Sequence, residues 1–303
     1  MKIMFMGTPE FAKISLEHLV KNDFNVTCAV TQPDKSAGRK MILTPPPVKT
    51  FCICENIPVY QPQNLAGNDF FEILRETSPD IIVVAAYGKI LPKNVLEYPE
   101  FGCVNVHASL LPKYRGASPI FSAIAAGEKT TGITTIYMDE GIDTGDMILK
   151  EATEIGENET HGELHGRLAK MGGEVLANTL IQIKNGSAKR EKQPETKTGC
   201  TKKTDEKICE IDWKLKTKQI HDKIRALSPS PAAFTKIDGK KLKIYKSEIL
   251  PSGKCESSLD VECEDGTLRI LELQPEGGKK MSAREFLNGR KIEKGAFGWM
   301  KKN

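Results

Sequence analysis

The feature that most constrains the fold is the run at residues 80–85, DIIVVA, which is almost entirely apolar. A strand with apolar residues on both faces is typical of a parallel sheet that helices cover on both sides. The chain opens in the same manner, with strand-like residues at 2–6, helical spacing at 11–20 and a second strand at 25–30. This order predicts an α/β domain built on a doubly wound, mostly parallel, Rossmann-like sheet.

The turn after the first strand, GTPE at residues 7–10, contains a single glycine. Sheets of this kind that bind a dinucleotide carry the pattern GxGxxG at this turn, because glycines let the backbone approach the pyrophosphate. The sequence therefore disfavours a nicotinamide cofactor.

Polar side chains gather at the end of another predicted strand, within FGCVNVHASLLPKYRGASP at residues 101–119. Strand side chains alternate between faces, so Asn105 and His107 share one face. A loop rich in proline and glycine follows, and open α/β sheets bind ligands at the carboxyl ends of their strands. An acidic loop, DEGIDTGD at residues 139–146, supplies Asp143 as a third candidate, and its spacing does not fit a calcium-binding loop.

Asn105, His107 and Asp143 together suit the direct attack of an external amine on a bound carbonyl. An amide N–H can stabilise an oxyanion, an imidazole can move protons near neutral pH, and a carboxylate can orient the imidazole. We find no nucleophile placed for a covalent acyl intermediate, since Ser109 lies outside a GxSxG elbow. A histidine whose hydrogen bonds are simply satisfied in the core is the alternative at this point.

The last third of the chain is predicted to form a separate, basic domain. Residues 1–200 carry 21 basic and 24 acidic side chains, a net charge of −3, whereas residues 201–303 carry 23 and 16, a net charge of +7. Residues 185–209 have little hydrophobic periodicity and the composition of a linker. We therefore predict a catalytic domain at residues 1–184, a linker at 185–209 and a basic domain at 210–303.

Short strands are predicted within this basic domain at residues 233–237, 241–249, 258–264 and 267–274, with Asp-Gly pairs at two turns. Several short strands with hairpin turns are typical of a small β-barrel such as an OB-fold, a common platform for nucleic acids. The excess of lysine fits a polyanion-binding module, and it fits a solvated surface equally well.

A long irregular segment is predicted at residues 31–49, TQPDKSAGRKMILTPPPVK, with Arg39 and Lys40 near its tip. Loops of this length within a compact domain are usually functional or disordered. The two interpretations are a solvated loop and a basic finger that contacts a phosphate backbone.

Neither a metal site nor a membrane segment is predicted. The eight cysteines show no recurring metal-binding spacing, and His161 and His165 fit an exposed helix face better than half of a metal site. No apolar run approaches the ~18 residues that span a bilayer, and the N-terminus lacks the pattern of a signal peptide. We expect a cytoplasmic protein that functions as a monomer.

Four separated motifs, in the right order, resemble those of the folate-dependent formyltransferases. They are GTPEFA at residues 7–12, AYGKILP at 86–92, NVHASLLPKYRGASP at 105–119 and MDEGIDTGD at 138–146. With MSAREFLNG at 281–289, the resemblance covers essentially the whole chain and is to those members that act on charged initiator tRNA. It implies that 10-formyltetrahydrofolate donates its formyl group to the α-amine of methionyl-initiator tRNA, for translation initiation.

The resemblance also implies roles for particular residues. It places Asn105, His107 and Asp143 at the family's catalytic positions, and Arg39 and Lys40 in the segment that enters the tRNA acceptor end. The residues implied in folate binding are Ser109, Leu110, Leu111 and Pro112, together with the backbone around Tyr87, Gly88 and Ile90.

Three alternatives remain open on the sequence. A sugar-nucleotide or glycinamide-ribonucleotide formyltransferase would share the three polar residues but would need no basic β-domain. A non-catalytic RNA-binding protein would not need Asn105, His107 and Asp143 to be intact. A hydrolase would use the same three residues with water in place of the amine.

Overall fold

The structure, a computed structural model, describes residues 1–37, 41–196, 198–202, 205–251 and 259–288. The chain forms two compact units. The N-terminal unit comprises residues 1–116, 131–153 and 165–200, and the C-terminal unit comprises 117–130, 154–164 and 201–303. The functional division at 1–184, 185–209 and 210–303 stays a prediction.

The described residues form the following helices and strands, in chain order: β1 (Ile3–Gly7), α1 (Glu10–Lys21), β2 (Val26–Val30), β3 (Lys35–Ala37), β4 (Ile42–Thr44), α2 (Pro47–Cys54), β5 (Val59–Tyr60), α3 (Asn68–Thr77), β6 (Ile81–Ala85), α4 (Lys93–Leu96), β7 (Cys103–His107), α5 (Pro119–Ala125), β8 (Thr130–Tyr137), β9 (Met147–Glu154), α6 (His161–Lys184), α7 (Glu206–Cys209), α8 (Thr217–Ala226), β10 (Ala233–Ile237), β11 (Lys240–Leu250), β12 (Asp260–Glu262), β13 (Thr267–Pro275), β14 (Met281–Ser282) and α9 (Ala283–Leu287).

A seven-stranded sheet forms the centre of the N-terminal unit, in the order β5-β2-β1-β6-β7-β8-β9. The strands from β5 to β7 pair in parallel, and β8 pairs antiparallel to β7. β1 and β6 are buried along their whole length, as expected for apolar strands covered on both faces. The predicted doubly wound, mostly parallel sheet is confirmed.

The turn between β1 and α1 is tight. It lies at the carboxyl end of β1, the sheet edge at which the loops after β6 and β7 also begin. A Cβ added at Gly7 would lie 2.6 Å from the Ala12 Cβ and 2.9 Å from the Ala85 carbonyl oxygen. Only glycine therefore allows the helix to start this close to the strand. α1 buries Phe11, Leu16 and Leu19 along one face, as the helical spacing predicted.

The segment at residues 31–49 is more ordered than predicted. β3 and β4 pair antiparallel, with Lys35 opposite Thr44, and α2 begins at Pro47. Proline lacks an N–H and has a helical φ, so it is well suited to the first position of a helix. The run of three prolines thus starts a helix and does not simply extend the loop.

The C-terminal unit contains a five-stranded antiparallel sheet, in the order β10-β11-β13-β12 with β14 on β13. The register of β11 shifts near Lys246, and such irregularities bend a strand and increase its twist. The sheet curls into a half-barrel, which agrees with the predicted OB-like domain. The predicted strands at 233–237, 241–249 and 267–274 match β10, β11 and β13 within one residue at each end.

The core of the C-terminal unit lies between this sheet and α8. Ile220 and Ile224 of α8 are fully buried against Leu268 and Ile270 of β13, and Phe121 of α5 packs on the same cluster. Among the described residues, no helix has both the length and the apolar character to span a bilayer.

Candidate active site

The candidate active site is built on β7, which contributes Asn105 and His107. β7 pairs with β6 on one side and β8 on the other, so it is an interior strand of the sheet. The alternation of side chains brings Asn105 and His107 to the same face of the strand. His107 is the last residue of β7, at the carboxyl end where open α/β sheets bind ligands.

Asp143 reaches these residues from the loop between β8 and β9. Its Oδ1 accepts a hydrogen bond from the Asn105 Nδ2 at 3.0 Å, and its Oδ2 accepts one from the Gly116 N–H at 2.8 Å. The same Oδ2 lies 3.4 Å from His107 Nδ1. The structure therefore brings Asn105, His107 and Asp143 together around one carboxylate.

The second ring nitrogen of His107 is also engaged. Its Nε2 lies 2.9 Å from the carbonyl oxygen of Tyr114. A carbonyl oxygen can only accept, so this contact places a hydrogen on Nε2 and turns Nδ1 toward Asp143. The side chain is 5% exposed, and the loop after β7 thus fixes the orientation of a buried imidazole.

The acidic loop turns sharply at Asp143, whose φ is +54°. Aspartate tolerates this left-handed conformation better than most residues. Earlier in the loop, Asp139 Oδ1 accepts hydrogen bonds from the Gly141 N–H at 3.0 Å and the Thr144 hydroxyl at 2.6 Å. These bonds tighten the turn that directs the Asp143 carboxylate toward β7.

The first segment predicted to bind folate, residues 109–112, is tied down by hydrogen bonds. Ser109 is fully buried, and its hydroxyl donates to the Lys113 carbonyl oxygen at 2.6 Å. Leu111 packs in a small buried cluster, and the Leu111–Pro112 peptide bond is cis. Leu110 and Pro112 are partly exposed, so they are the side chains of this segment that a ligand can reach.

The second predicted segment follows β6, the strand next to β7, so the two loops leave the sheet at the same edge. Tyr87 is 2% exposed, and its hydroxyl has no hydrogen-bond partner among the described residues. Burial raises the pKa of this phenol to about 12. Its side chain faces the core, whereas Gly88 and Ile90 are exposed, with Ile90 at 69%. A ligand at this loop would therefore meet backbone and Ile90.

Arg39 and Lys40 lie outside the described residues, so the structure does not test their placement. The described residues that follow them, Met41, Ile42 and Leu43, are 61–70% exposed. Lys49, at the end of the segment, forms an ion pair with Asp34, with its Nζ 2.8 Å from the carboxylate. The described part of this segment thus exposes apolar side chains together with Lys35, whereas Lys49 is held in an ion pair.

Several residues of this region were not singled out by sequence reasoning. Thr134 of β8 donates its hydroxyl to the Ser109 carbonyl oxygen at 2.7 Å and accepts from the Leu111 N–H at 3.1 Å. Lys150 donates to the Leu111 carbonyl oxygen at 3.1 Å. Thr134 belongs to a run of β-branched residues, which predicts a strand but does not indicate which hydroxyl anchors a loop.

One histidine of the pair on α6, His165, packs against α1. His165 packs edge-on against the ring of Phe11, with centroids 5.6 Å apart, and burial lowers its pKa. It is thus partly buried and not on the exposed face that we predicted. Within the described ranges, no group of three or more His, Cys, Asp or Glu side chains could hold a metal ion.

Solved structures share this fold. An N-formyltransferase from Helicobacter canadensis, in complex with folinic acid and dTDP-3-aminofucose, matches 93% of this chain and 100% of its own at a TM-score of 0.69 and 22% identity. A sugar 3N-formyl transferase in the presence of dTDP and 5-N-formyl-THF matches 91% and 97%, at a TM-score of 0.67 and 22% identity. At this identity the similarity shows the shared fold.

Sequence comparison adds the family. Residues 1–180 match the formyl transferase family and residues 203–291 match the formyl transferase C-terminal domain, so the chain is a formyl transferase. A methionyl-tRNA formyltransferase from Caldanaerobacter subterraneus subsp. tengcongensis is 47% identical, over 98% of this chain and 99% of its own. One from Caldicellulosiruptor saccharolyticus is 47% identical over 97% and 99%. The chain belongs to the methionyl-tRNA formyltransferase family, which confirms the resemblance seen in the motifs.

Proposed function

We propose that this protein transfers the formyl group of 10-formyltetrahydrofolate to the α-amine of methionyl-initiator tRNA, which supplies formylmethionine for translation initiation. The observation that carries the proposal is the convergence of Asn105 and His107 on the Asp143 carboxylate. The choice of tRNA as acceptor is supported by the relatives named methionyl-tRNA formyltransferase. The proposed setting is the cytoplasm, with the protein as a monomer.

Asn105 is proposed to stabilise the oxyanion of the tetrahedral intermediate. Its amide nitrogen carries two hydrogens, and one of them is donated to Asp143. The other is assigned to the formyl oxygen as negative charge develops on it. Removing one such donor typically costs about 10²- to 10³-fold in rate.

His107 and Asp143 are proposed to handle the proton of the attacking amine. The imidazole Nδ1 and the carboxylate Oδ2 face each other at 3.4 Å, so an imidazole that takes the proton of the amine on Nδ1 has a carboxylate beside it. The Tyr114 carbonyl oxygen holds the ring in this orientation from its Nε2 side. This arrangement suits general base catalysis near neutral pH.

The reaction balances without an oxidant or a covalent enzyme intermediate. The amine nitrogen forms a bond to the formyl carbon, and the bond from that carbon to N10 of the folate breaks. The amine gives up one proton and N10 takes one up. The products are formylmethionyl-tRNA and tetrahydrofolate.

The two substrates are assigned to different segments. The folate is proposed to bind along Ser109, Leu110, Leu111 and Pro112 and against the backbone of Tyr87, Gly88 and Ile90. The support is that both loops leave neighbouring strands at the edge that carries His107. Arg39 and Lys40 are proposed to contact phosphates near the acceptor end of the tRNA.

The test is an assay with purified protein, 10-formyltetrahydrofolate and methionine-charged initiator tRNA, in which formylmethionine is measured after deacylation. We expect formylation of the charged tRNA and none of a sugar-nucleotide amine offered in parallel. Formylation of the sugar nucleotide alone would overturn the tRNA assignment. Release of formate without a formylated acceptor would favour the hydrolase.

The same assay tests the basic segment through a double variant, Arg39→Ala with Lys40→Ala. We expect the KM for tRNA to rise by about tenfold, because each lost phosphate contact removes counterion release, while the KM for folate is unchanged. The matched control is Lys170→Ala with Lys184→Ala, two exposed lysines of α6. If the KM for tRNA rose equally in both double variants, the effect would come from net charge in general and the proposed contact of Arg39 and Lys40 would be wrong.

A further inference from the structure

We propose that Gln193 and Arg115 are positioning residues that hold the acidic loop so that the Asp143 carboxylate reaches Asn105 and His107. We call Arg115, Gln193 and the backbone of residues 143–145 the loop clamp. The inference rests on the proposed function, because it assigns these two side chains a part in the same reaction. All members of the clamp belong to the N-terminal unit.

Both the nitrogen and the oxygen of the Gln193 side-chain amide form hydrogen bonds. Its Nε2 donates to the carbonyl oxygens of Asp143 and Gly145, both at 2.8 Å. Its Oε1 accepts from the Nε and Nη2 of Arg115, at 2.9 and 2.7 Å. Since carbonyls only accept and a guanidinium only donates, the amide fits in a single orientation.

This geometry ties together the two loops that build the site. Three successive residues of the loop after β7 each contact a different part of the site. The Tyr114 carbonyl oxygen accepts from His107, the Arg115 side chain binds Gln193, and the Gly116 N–H binds the Asp143 carboxylate. Gln193 thus binds the backbone of the acidic loop, while the Gly116 N–H binds the side chain of Asp143 in the same loop.

The acidic loop needs such support because of its backbone conformation. Positive φ costs a non-glycine residue free energy, and although aspartate tolerates it better than most, contacts around Asp143 help to maintain its φ of +54°. The backbone at Gly145 packs closely against β8, since a Cβ there would lie 1.7 Å from the Tyr137 carbonyl oxygen, so only glycine fits this position. The hydrogen bonds from Gln193 hold the backbone at Asp143 itself and at Gly145, two residues further on.

Gln193 is itself held in place by the residues before it. Glu191 forms a bridge with Met147 at the start of β9, through N–H to carbonyl bonds of 2.8 and 2.9 Å in the two directions. The Arg190 guanidinium lies over the ring of Tyr137, 3.8 Å from its centroid. The segment at 190–193 is therefore anchored to both strands that flank the acidic loop.

The polarity of the amide makes a sharp prediction about substitution. Glu at position 193 would keep the acceptor for Arg115 but would turn an oxygen toward two carbonyl oxygens. If the donation to the loop matters, Gln193→Glu should be at least as impaired as Gln193→Ala. If Arg115 only needs an acceptor, Gln193→Glu should behave like the unchanged protein.

The decisive experiment measures steady-state formylation in Gln193→Ala, Asp143→Asn and the double variant. We expect Gln193→Ala to lower kcat by about 10- to 100-fold with both KM values within about twofold, since a small misplacement of a reacting group has effects of this size. In the Asp143→Asn background, the same change should cost less than about threefold, because the residue that Gln193 positions no longer acts. Equal losses in the two backgrounds would overturn the inference. A loss confined to the KM for tRNA would instead make position 193 a tRNA contact.

Amide hydrogen exchange of residues 139–146 supplies a readout that needs no substrate. We expect exchange to be faster in Gln193→Ala and unchanged in Glu195→Gln, a matched control at an exposed position of the same segment. Unaltered exchange in Gln193→Ala would contradict the clamp even if activity fell. If the unchanged protein failed to formylate charged tRNA, the proposed function would be wrong. The exchange measurement would then still show whether Gln193 holds the acidic loop in place.

Discussion

Each unit buries one histidine beside an aspartate, and the two histidines differ in the groups that surround them. His107 in the N-terminal unit is 5% exposed and His221 in the C-terminal unit is 3% exposed. His107 faces a carboxylate with Nδ1 and a carbonyl oxygen with Nε2. His221 meets the Ser247 hydroxyl at 3.0 Å and the Glu157 carbonyl oxygen at 3.3 Å.

The aspartates differ more clearly than the histidines. Asp143 accepts from an amide and a backbone N–H, and no Lys or Arg is paired with its carboxylate among the described ion pairs. Asp222 is paired with Arg225 at 2.7 Å and with Lys218 at 2.6 Å, and its side chain is 4% exposed. The Asp222 carboxylate is held by two cations and serves the packing of its unit, whereas the Asp143 carboxylate is held by neutral donors and faces an imidazole. Burial of a histidine therefore does not identify a site; the partners of the neighbouring carboxylate do.

The largest expected effect is on catalysis at the first of these histidines. His107→Ala should lower kcat by about 10²- to 10⁴-fold, because the proton of the amine loses its acceptor. Asn105→Ala should lose about 10²- to 10³-fold, as the oxyanion loses a donor. Steady-state formylation of charged tRNA measures both. Turnover close to that of the unchanged protein in either folded variant would remove its assigned role.

A smaller effect is expected on stability at the second aspartate. Asp222→Asn should lower the free energy of unfolding of the C-terminal unit by about 3 kcal/mol, because the Arg225 guanidinium stays buried without its carboxylate. Urea unfolding followed by tryptophan fluorescence reports on this unit, since both tryptophans lie in residues 201–303.

Two matched variants sharpen this second prediction. Asp238→Asn, at an exposed turn, should leave the unfolding curve unchanged. Asp143→Asn makes the same chemical change in the N-terminal unit and should reduce formylation far more than stability. If Asp222→Asn were as stable as Asp238→Asn, the contrast between the two carboxylates would fail.

Much of the fold could be predicted from the sequence, because its signals are local. The apolar run at 80–85 and the Asp-Gly turns predicted β6 and the antiparallel hairpins, since burial on both faces and tight turns restrict residue types directly. The paired strands β3 and β4 were not predicted. Three residues per strand are too few for a periodic pattern, and their pairing depends on contacts with the opposite strand.

The candidate site was predictable in part for the same reason. Alternation along β7 placed Asn105 and His107 on one face, and a concentration of acids pointed to the loop of Asp143. Gln193 gave no such signal, because it lies in a polar segment whose composition indicated a linker. Its amide binds two backbone carbonyls and one arginine far along the chain. Such contacts depend on tertiary packing, which a single sequence does not display.

The smallest expected effect is on the pH dependence of stability, through His221. Burial lowers the pKa of His221 in the folded protein, so the unfolded chain binds this proton more readily. The stabilising contribution of the neutral ring is therefore complete above the usual histidine pKa of about 6.5 and is lost as the pH falls below it. Between about pH 7 and about pH 5, the unfolding free energy should fall more steeply for the unchanged protein than for His221→Gln.

His165 provides the internal control for this measurement. Burial also lowers its pKa, and it is present in both proteins, so the difference between the two pH profiles isolates His221. Formylation per folded molecule should be the same in His221→Gln and the unchanged protein, since this ring touches Ser247 and Glu157 and no part of the candidate site. Parallel stability profiles would contradict the assignment of a buried neutral His221. A loss of turnover in the folded variant would mean that His221 also takes part in function, which we propose only for His107.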